Sequence, residues 1–157
     1  LHRKELFSRP RFNRQFMFVL SAVLLYCLIS MLVVHKGLWI NREVPFGLTV
    51  IKYFIVGCVE EIVFRGWGYN ALAKAMPNRT AVAISTLLFA LLHWSAFFIR
   101  LFRFGTFGCA RLLVQSFSAS LWGILLYWQL KKSRTLWNPI LAHFIYDFLV
   151  TILIGRN

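Results

Sequence analysis

Two of the five acidic residues in this 157-residue chain, Glu60 and Glu61, are adjacent inside the apolar run Gly57-Cys58-Val59-Glu60-Glu61-Ile62-Val63-Phe64-Arg65. A carboxylate in apolar surroundings costs at least a few kcal/mol, so acids in such places face inward, find partners and mark a function. On an α-helix Glu61 and Arg65 lie four apart on one face, which makes them a structural ion pair that fixes that face. Glu60 points about 100° away and has no local partner, so other segments must supply one. Two later apolar segments can. One carries Phe89 and His93, four apart; the other carries His143 and Asp147, also four apart and therefore on one helical face. Carboxylates and imidazoles brought together can activate water, relay protons or bind a metal.

The elements that must position them are apolar throughout. The chain is 59% hydrophobic and 17% aromatic, with a mean hydropathy of +0.67, which lies outside the range of soluble globular domains. Residues 16–34 and 112–130 are free of charge, residues 80–99 carry His93 as their one ionisable group, and 137–154 carry His143 and Asp147. Each is long enough at about 1.5 Å per residue to cross about 30 Å of hydrocarbon. A fifth span holds the Glu pair, beginning near Val44 and ending between Arg65 and Lys74, with Gly57, Gly66 and Gly68 allowing close helix approach. The expected fold is therefore all-α: a polytopic transmembrane bundle of about five spans, one domain over 16–154, with a polar cavity in its core. Residues 1–15 form a basic cytoplasmic arm lying on anionic headgroups.

A net charge of +13 invites a nucleic-acid reading, but the cations stand between apolar runs rather than on one face of a soluble fold. The expected partners are membrane lipids, with no nucleic acid. With the N-terminus inside, Arg3, Lys4, Arg9, Arg11, Arg14, Lys74, Arg79, Lys131, Lys132 and Arg134 are cytoplasmic. Lys36, Arg42, Arg100, Arg103, Arg111 and Arg156 are external, and ten against six favours a multi-pass protein of the cell membrane with this orientation. Lys52 is expected to snorkel to the outer interface. Cys27, Cys58 and Cys109 form no CxxC and read as small buried hydrophobes. His2 reads as solvated, His35 as interfacial, and Trp39 as an interfacial anchor. Pro77-Asn78 closes a helical hairpin. Arg100 to Gly108 is basic and aromatic, an amphipathic surface piece or a flap over a lateral opening.

Depth supports convergence. Counted back from Lys74, Arg79 and Lys132, Glu60, His93 and His143 lie about 21, 21 and 17 Å along their helices at about 1.5 Å per residue. A single histidine on an apolar helix is more often a satisfied core residue than a base or ligand. Here both span-borne histidines and three of the five acids reach one level, whereas polar groups that only join helices are more commonly Ser, Thr, Asn or Gln.

The constellation closely resembles the CPBP family of intramembrane proteases, which includes CAAX endopeptidases acting on prenylated proteins and bacterial members linked with bacteriocin processing and self-immunity. Its pattern of Glu-Glu-x-x-x-Arg, Phe-x-x-x-His and His-x-x-x-Asn or Asp stands here as Glu60-Glu61-Ile62-Val63-Phe64-Arg65, Phe89-Ala90-Leu91-Leu92-His93 and His143-Phe144-Ile145-Tyr146-Asp147. The resemblance covers about residues 45–154. It implies an endopeptidase cutting a membrane-associated protein or peptide, with Glu60, His93, His143 and Asp147 catalytic and Glu61, Arg65 and Phe89 orienting. Glu60 and His93 would activate water, since a carboxylate stripped of solvent is a stronger base. His143 and residue 147 would polarise the scissile carbonyl. The family's commoner Asn donates a hydrogen bond directly; Asp147 does so only when protonated, and otherwise orients His143.

The expected enzyme is glutamic-type and free of cofactors. A zinc version would use Glu60, His93 and His143 as ligands with Asp147 as a fourth ligand or outer partner. Two other classes use the same residues: a proton-coupled transporter, for which no repeat with broken helices is present, and a non-catalytic immunity or peptide-binding protein, which would keep its function in a Glu60→Ala variant.

Overall fold

The computed structural model describes residues 6–94, Phe98, Phe102 and 109–154, with backbone alone for Val34 and 109–112. His2 and, apart from Phe102, the segment Arg100 to Gly108 lie outside the described residues. Among the described residues all regular structure is helical: α1 (Arg14–His35), α2 (Phe46–Glu61), a π-helix (Ile62–Gly68), α3 (Tyr69–Ala75), α4 (Asn78–Leu92), α5 (Cys109–Ser133) and α6 (Trp137–Leu153). The chain divides into two compact units, residues 1–61 with 129–157, and residues 62–128.

In the first unit, α1 starts where the Asn13 side chain accepts a hydrogen bond from Phe16 N at 2.9 Å. This cap satisfies one of the amides that a helix start leaves without a partner. Phe16, Val19, Val23, Cys27 and Met31 form one buried stripe. The rest of α1 is apolar too, yet Phe18, Leu24, Leu25, Ile29 and Val33 are exposed. A helix that is apolar all round and buried along one stripe only is built for a non-aqueous surrounding.

Helix α6 differs, because none of its large apolar side chains is among the exposed ones. It packs on both α1 and α2. Against α2 it runs antiparallel, with ring contacts between Phe46 and Phe148 and between Phe54 and Phe144, and a 2.8 Å bond from Thr151 Oγ1 to Tyr53 Oη. Its C-terminal carbonyls are met by neighbours: Asn41 N donates to Ile152 O at 2.8 Å and His35 Nε2 donates to Ile154 O at 3.2 Å. His35, expected to be merely interfacial, thus caps α6 and stacks on Trp39.

The start of α6 is held by the basic arm. Leu6 is buried with Leu130, Leu136 and Ile140. Leu136 N donates to Leu6 O at 2.8 Å, Thr135 Oγ1 to Ser8 O at 2.6 Å, Arg11 N to Asn138 Oδ1 at 2.8 Å and Asn138 Nδ2 to Arg11 O at 2.6 Å. The described part of the arm is therefore a clamp on the α5–α6 connection, which sequence reading had treated as a headgroup-bound tail.

In the second unit, the chain leaves α2 through the π-helix, where Ser85 Oγ donates to Phe64 O at 2.7 Å and Asn70 Nδ2 to Gly66 O at 2.6 Å. These side chains serve carbonyls that the wider π-turn displaces from α-helical pairing. Met76 and Pro77 turn the chain from α3 into α4, as Pro77-Asn78 predicted. Tyr69, Asn78 and Tyr127 form a hydrogen-bonded set joining α3, α4 and α5. Phe89, Ala90 and Ala119 form the core here, with Phe64 and Trp122 packed against it.

Among the described residues, one helix is long and apolar enough to cross a membrane, over Arg14–Val33; Asn78–Leu92 and Trp137–Leu153 are apolar but shorter. Of the span expected over 80–99, α4 covers the part up to Leu92 with His93 as its C-cap, and residues 95–97 and 99 lie outside the described residues.

Candidate active site

The first unit brings Glu60, Glu61, His143 and Asp147 together. What allows it is Gly57, one turn before the Glu pair. A Cβ at this position would stand 3.1 Å from Ile140 O and 3.4 Å from Phe144 N, so the α2 backbone lies directly on the α6 backbone either side of His143. Small residues permit such approach, and the side chains that follow then meet across the seam.

Glu61 is fully buried and His143 is 3% exposed. The imidazole Nδ1 lies 2.9 Å from Glu61 Oε1. An ionised carboxylate only accepts, so Nδ1 carries the proton and Glu61 fixes both the ring's orientation and its tautomer. The opposite nitrogen, Nε2, lies 3.5 Å from Asp147 Oδ2 and 3.8 Å from Glu60 Oε2. The second of these exceeds direct hydrogen-bond distance. Glu60 and Asp147 are partly exposed, at 19% and 23% of their side chains. The ring thus has one nitrogen anchored in the interior and the other facing two accessible carboxylates.

The second unit holds Arg65, Phe89 and His93. Arg65 is 3% exposed, with its guanidinium carbon 4.0 Å from the centroid of the Phe89 ring. Gly123 leaves room for it, since a Cβ there would be 3.1 Å from Arg65 Nη2 and 3.0 Å from Thr86 Cγ2. His93 Nδ1 lies 3.0 Å from Phe89 O. A carbonyl only accepts, so Nδ1–H donates, and in the neutral ring Nε2 keeps its lone pair. Phe89 therefore supports Arg65 with its ring and His93 with its carbonyl.

Spacing alone assigned Glu61 to Arg65 and did not reveal its bond to His143. The α-helical geometry assumed for residues 61–65 stops at Glu61, where the π-helix begins. Sequence reading also passed over Gly123, Ser85 and Asn70. A glycine inside an apolar helix was the available signal for Gly123; Ser85 and Asn70 carried none, because serving a displaced carbonyl leaves no pattern in sequence.

Among the described residues, no group of three or more His, Cys, Asp or Glu side chains has the arrangement of a metal site. In the first unit the Nδ1 of His143 is committed to Glu61, which leaves its Nε2 with Glu60 and Asp147 as the donors a metal would use there. No step below is routed through a metal.

No curated protein and no solved structure matches the chain. Residues 42–149 match the family described as Type II CAAX prenyl endopeptidase Rce1-like. That match covers the buried Glu61–His143 pair and all three motifs of the sequence reading, and most of the chain: the chain belongs to the Rce1-like family of type II CAAX prenyl endopeptidases, which are intramembrane proteases acting on a protein or peptide substrate.

Proposed function

We propose that the chain is a multi-pass, metal-free, glutamic-type endopeptidase that hydrolyses a peptide bond of a membrane-associated substrate. The observation that carries this reading is the His143 imidazole, with Nδ1 on buried Glu61 and Nε2 facing Glu60 and Asp147. Such a ring is preorganised: its donor direction is set before substrate arrives, so none of the transition-state stabilisation is lost to reorientation.

The roles divide as follows. Glu60 takes a proton from the attacking water, and His93, by the family motif, shares that task through the nitrogen opposite the one bound to Phe89 O. The water oxygen bonds to the scissile carbonyl carbon and the carbonyl oxygen becomes an oxyanion. With Nε2 protonated, His143 donates to that oxygen, and Asp147 is its acceptor in the resting enzyme. The proton held by Glu60 then passes to the departing amine as the C–N bond breaks. Glu61 stays on His143 throughout as its orienting residue, while Asp147 faces the opposite nitrogen. The multi-pass reading draws support from the exposed Leu48, Ile51 and Ile55 on α2 in the first unit and, within the second unit, from the exposed Leu87 and Leu91 on α4 and Val114, Phe117 and Leu121 on α5.

The test is cleavage of a fluorogenic membrane-peptide library by the purified chain and its Glu60→Gln form, each with and without exhaustive chelation. Wild-type cleavage that survives chelation and is lost with Glu60→Gln is the expected result. Loss on chelation, with recovery on adding zinc, would replace the metal-free mechanism. Cleavage unchanged in Glu60→Gln would remove Glu60 from the chemistry.

A further inference from the structure

We infer that the clamp between the N-terminal arm and the α5–α6 connection is a binding surface for anionic phospholipid headgroups, built by the fold rather than by a loose basic tail. Four hydrogen bonds and the burial of Leu6 hold residues 6–11 alongside residues 135–138. This docking sets the exposed Arg9 and Arg11 beside Arg134 at the end of α5, with exposed Lys131 and Lys132 in its last turn and Arg14 opening α1. Of the described acids, Glu43 stands before α2 and Asp147 well along α6, while Glu60 and Glu61 close α2 at the clamp's end of the unit, Glu61 fully buried and Glu60 at 19% exposure turned to His143.

The chemistry favours a lipid over a nucleic acid. Phe7 and Phe12 are exposed, at 53% and 68%, and alternate with the arginines. Phe12 makes an edge contact with Phe16, which begins the buried stripe of α1. The cations therefore stand where the longest apolar helix begins, with aromatic rings that suit the headgroup level. Each cation near an anionic surface contributes about 1 kcal/mol, which is roughly a fivefold change in affinity.

The experiment uses the full chain in neutral detergent, titrated with dioctanoyl phosphatidylglycerol, dioctanoyl phosphatidylcholine or sodium phosphate and read by native mass spectrometry and thermal shift. Phosphatidylglycerol is expected to bind at least about a hundredfold more tightly than phosphatidylcholine, with the gap closing as salt rises. Removing three charges in R9Q/R11Q/R134Q is expected to weaken phosphatidylglycerol by about a hundredfold, from the fivefold per cation above, and to leave phosphatidylcholine unchanged. Asn138→Ala keeps every charge but releases the arm, and is expected to erase most of the preference. Thr135→Val, which loses the Ser8 contact and a longer 3.4 Å bond from Trp137 N within the connection, repeats that arm of the test with a smaller change. Glu60→Gln is expected to bind as wild type, which keeps this surface separate from the proteolytic reading. Equal affinity for the two lipids, an unchanged triple variant, a shift given equally by phosphate, or displacement of the lipid by a short RNA would each overturn the proposal. So would full preference in both clamp variants, because the cations would then act without the fold.

Discussion

In the first unit the buried Glu61 carboxylate is hydrogen-bonded to the His143 imidazole, whereas in the second unit the Arg65 guanidinium lies on the face of Phe89 above a notch left by Gly123. Both arrangements take charge out of water, but their physics differs. A carboxylate–imidazole contact is directional and ties a proton to a stated atom, so it can be adjusted to a reaction. A cation over a ring is broad and tolerant, contributing about 0.5–2 kcal/mol without fixing any proton. The first kind suits a site that moves protons; the second suits a side chain that holds helices in place.

That contrast can be broken most forcefully at Glu60. Replacing it with Gln keeps the shape of the side chain and removes the base, and a fall in kcat of about 100- to 10,000-fold is expected with the melting temperature unchanged. Next is Glu61→Ala, which strips the acceptor from a fully buried imidazole partner. Thermal and denaturant unfolding should show a loss of about 3–5 kcal/mol, as for any buried pair broken on one side, whereas Glu61→Gln should recover part of the fold but little of the activity. Gly57→Ala forces a Cβ against the Ile140 carbonyl. Its effect should fall on kcat more than on stability, by about 10- to 100-fold, because a shift below an ångström is enough to misplace catalytic groups. Phe89→Leu is the mildest of the set. It removes the ring under Arg65 but leaves the carbonyl that holds His93, so about 1 kcal/mol of stability should go with little change in kcat. A large activity loss there, with folding intact, would show that the second unit's cation shares in the chemistry.

Much of the first unit was legible before its coordinates. The four-residue spacing put His143 and Asp147 on one face, and the rarity of acids in an apolar chain singled out Glu60. What sequence did not show was the rotation of the seam. Which of two neighbouring glutamates meets His143 depends on where α2 and α6 touch, and that is set by Gly57, a residue with no side chain to read. Nor did it show the π-helix, since Gly66 and Gly68 read equally well as sites of close helix approach. The cap at His93 was hidden for a similar reason: no proline or glycine follows Leu92 to mark an end. The docking of the arm on the α5–α6 connection left no trace in sequence, because three of its four hydrogen bonds use its own backbone carbonyls, which every residue possesses.

That arm also dictates an order of events in biogenesis. Ser8 and Arg11 are bonded to Thr135 and Asn138, each pair 127 positions apart. At about 5–20 residues per second of synthesis, the early segment waits roughly 6–25 s for its mate to leave the ribosome. Until then the arm is without the hydrogen bonds that dock it. Helix α6, which carries the imidazole, thus completes the docking of the arm that leads into α1.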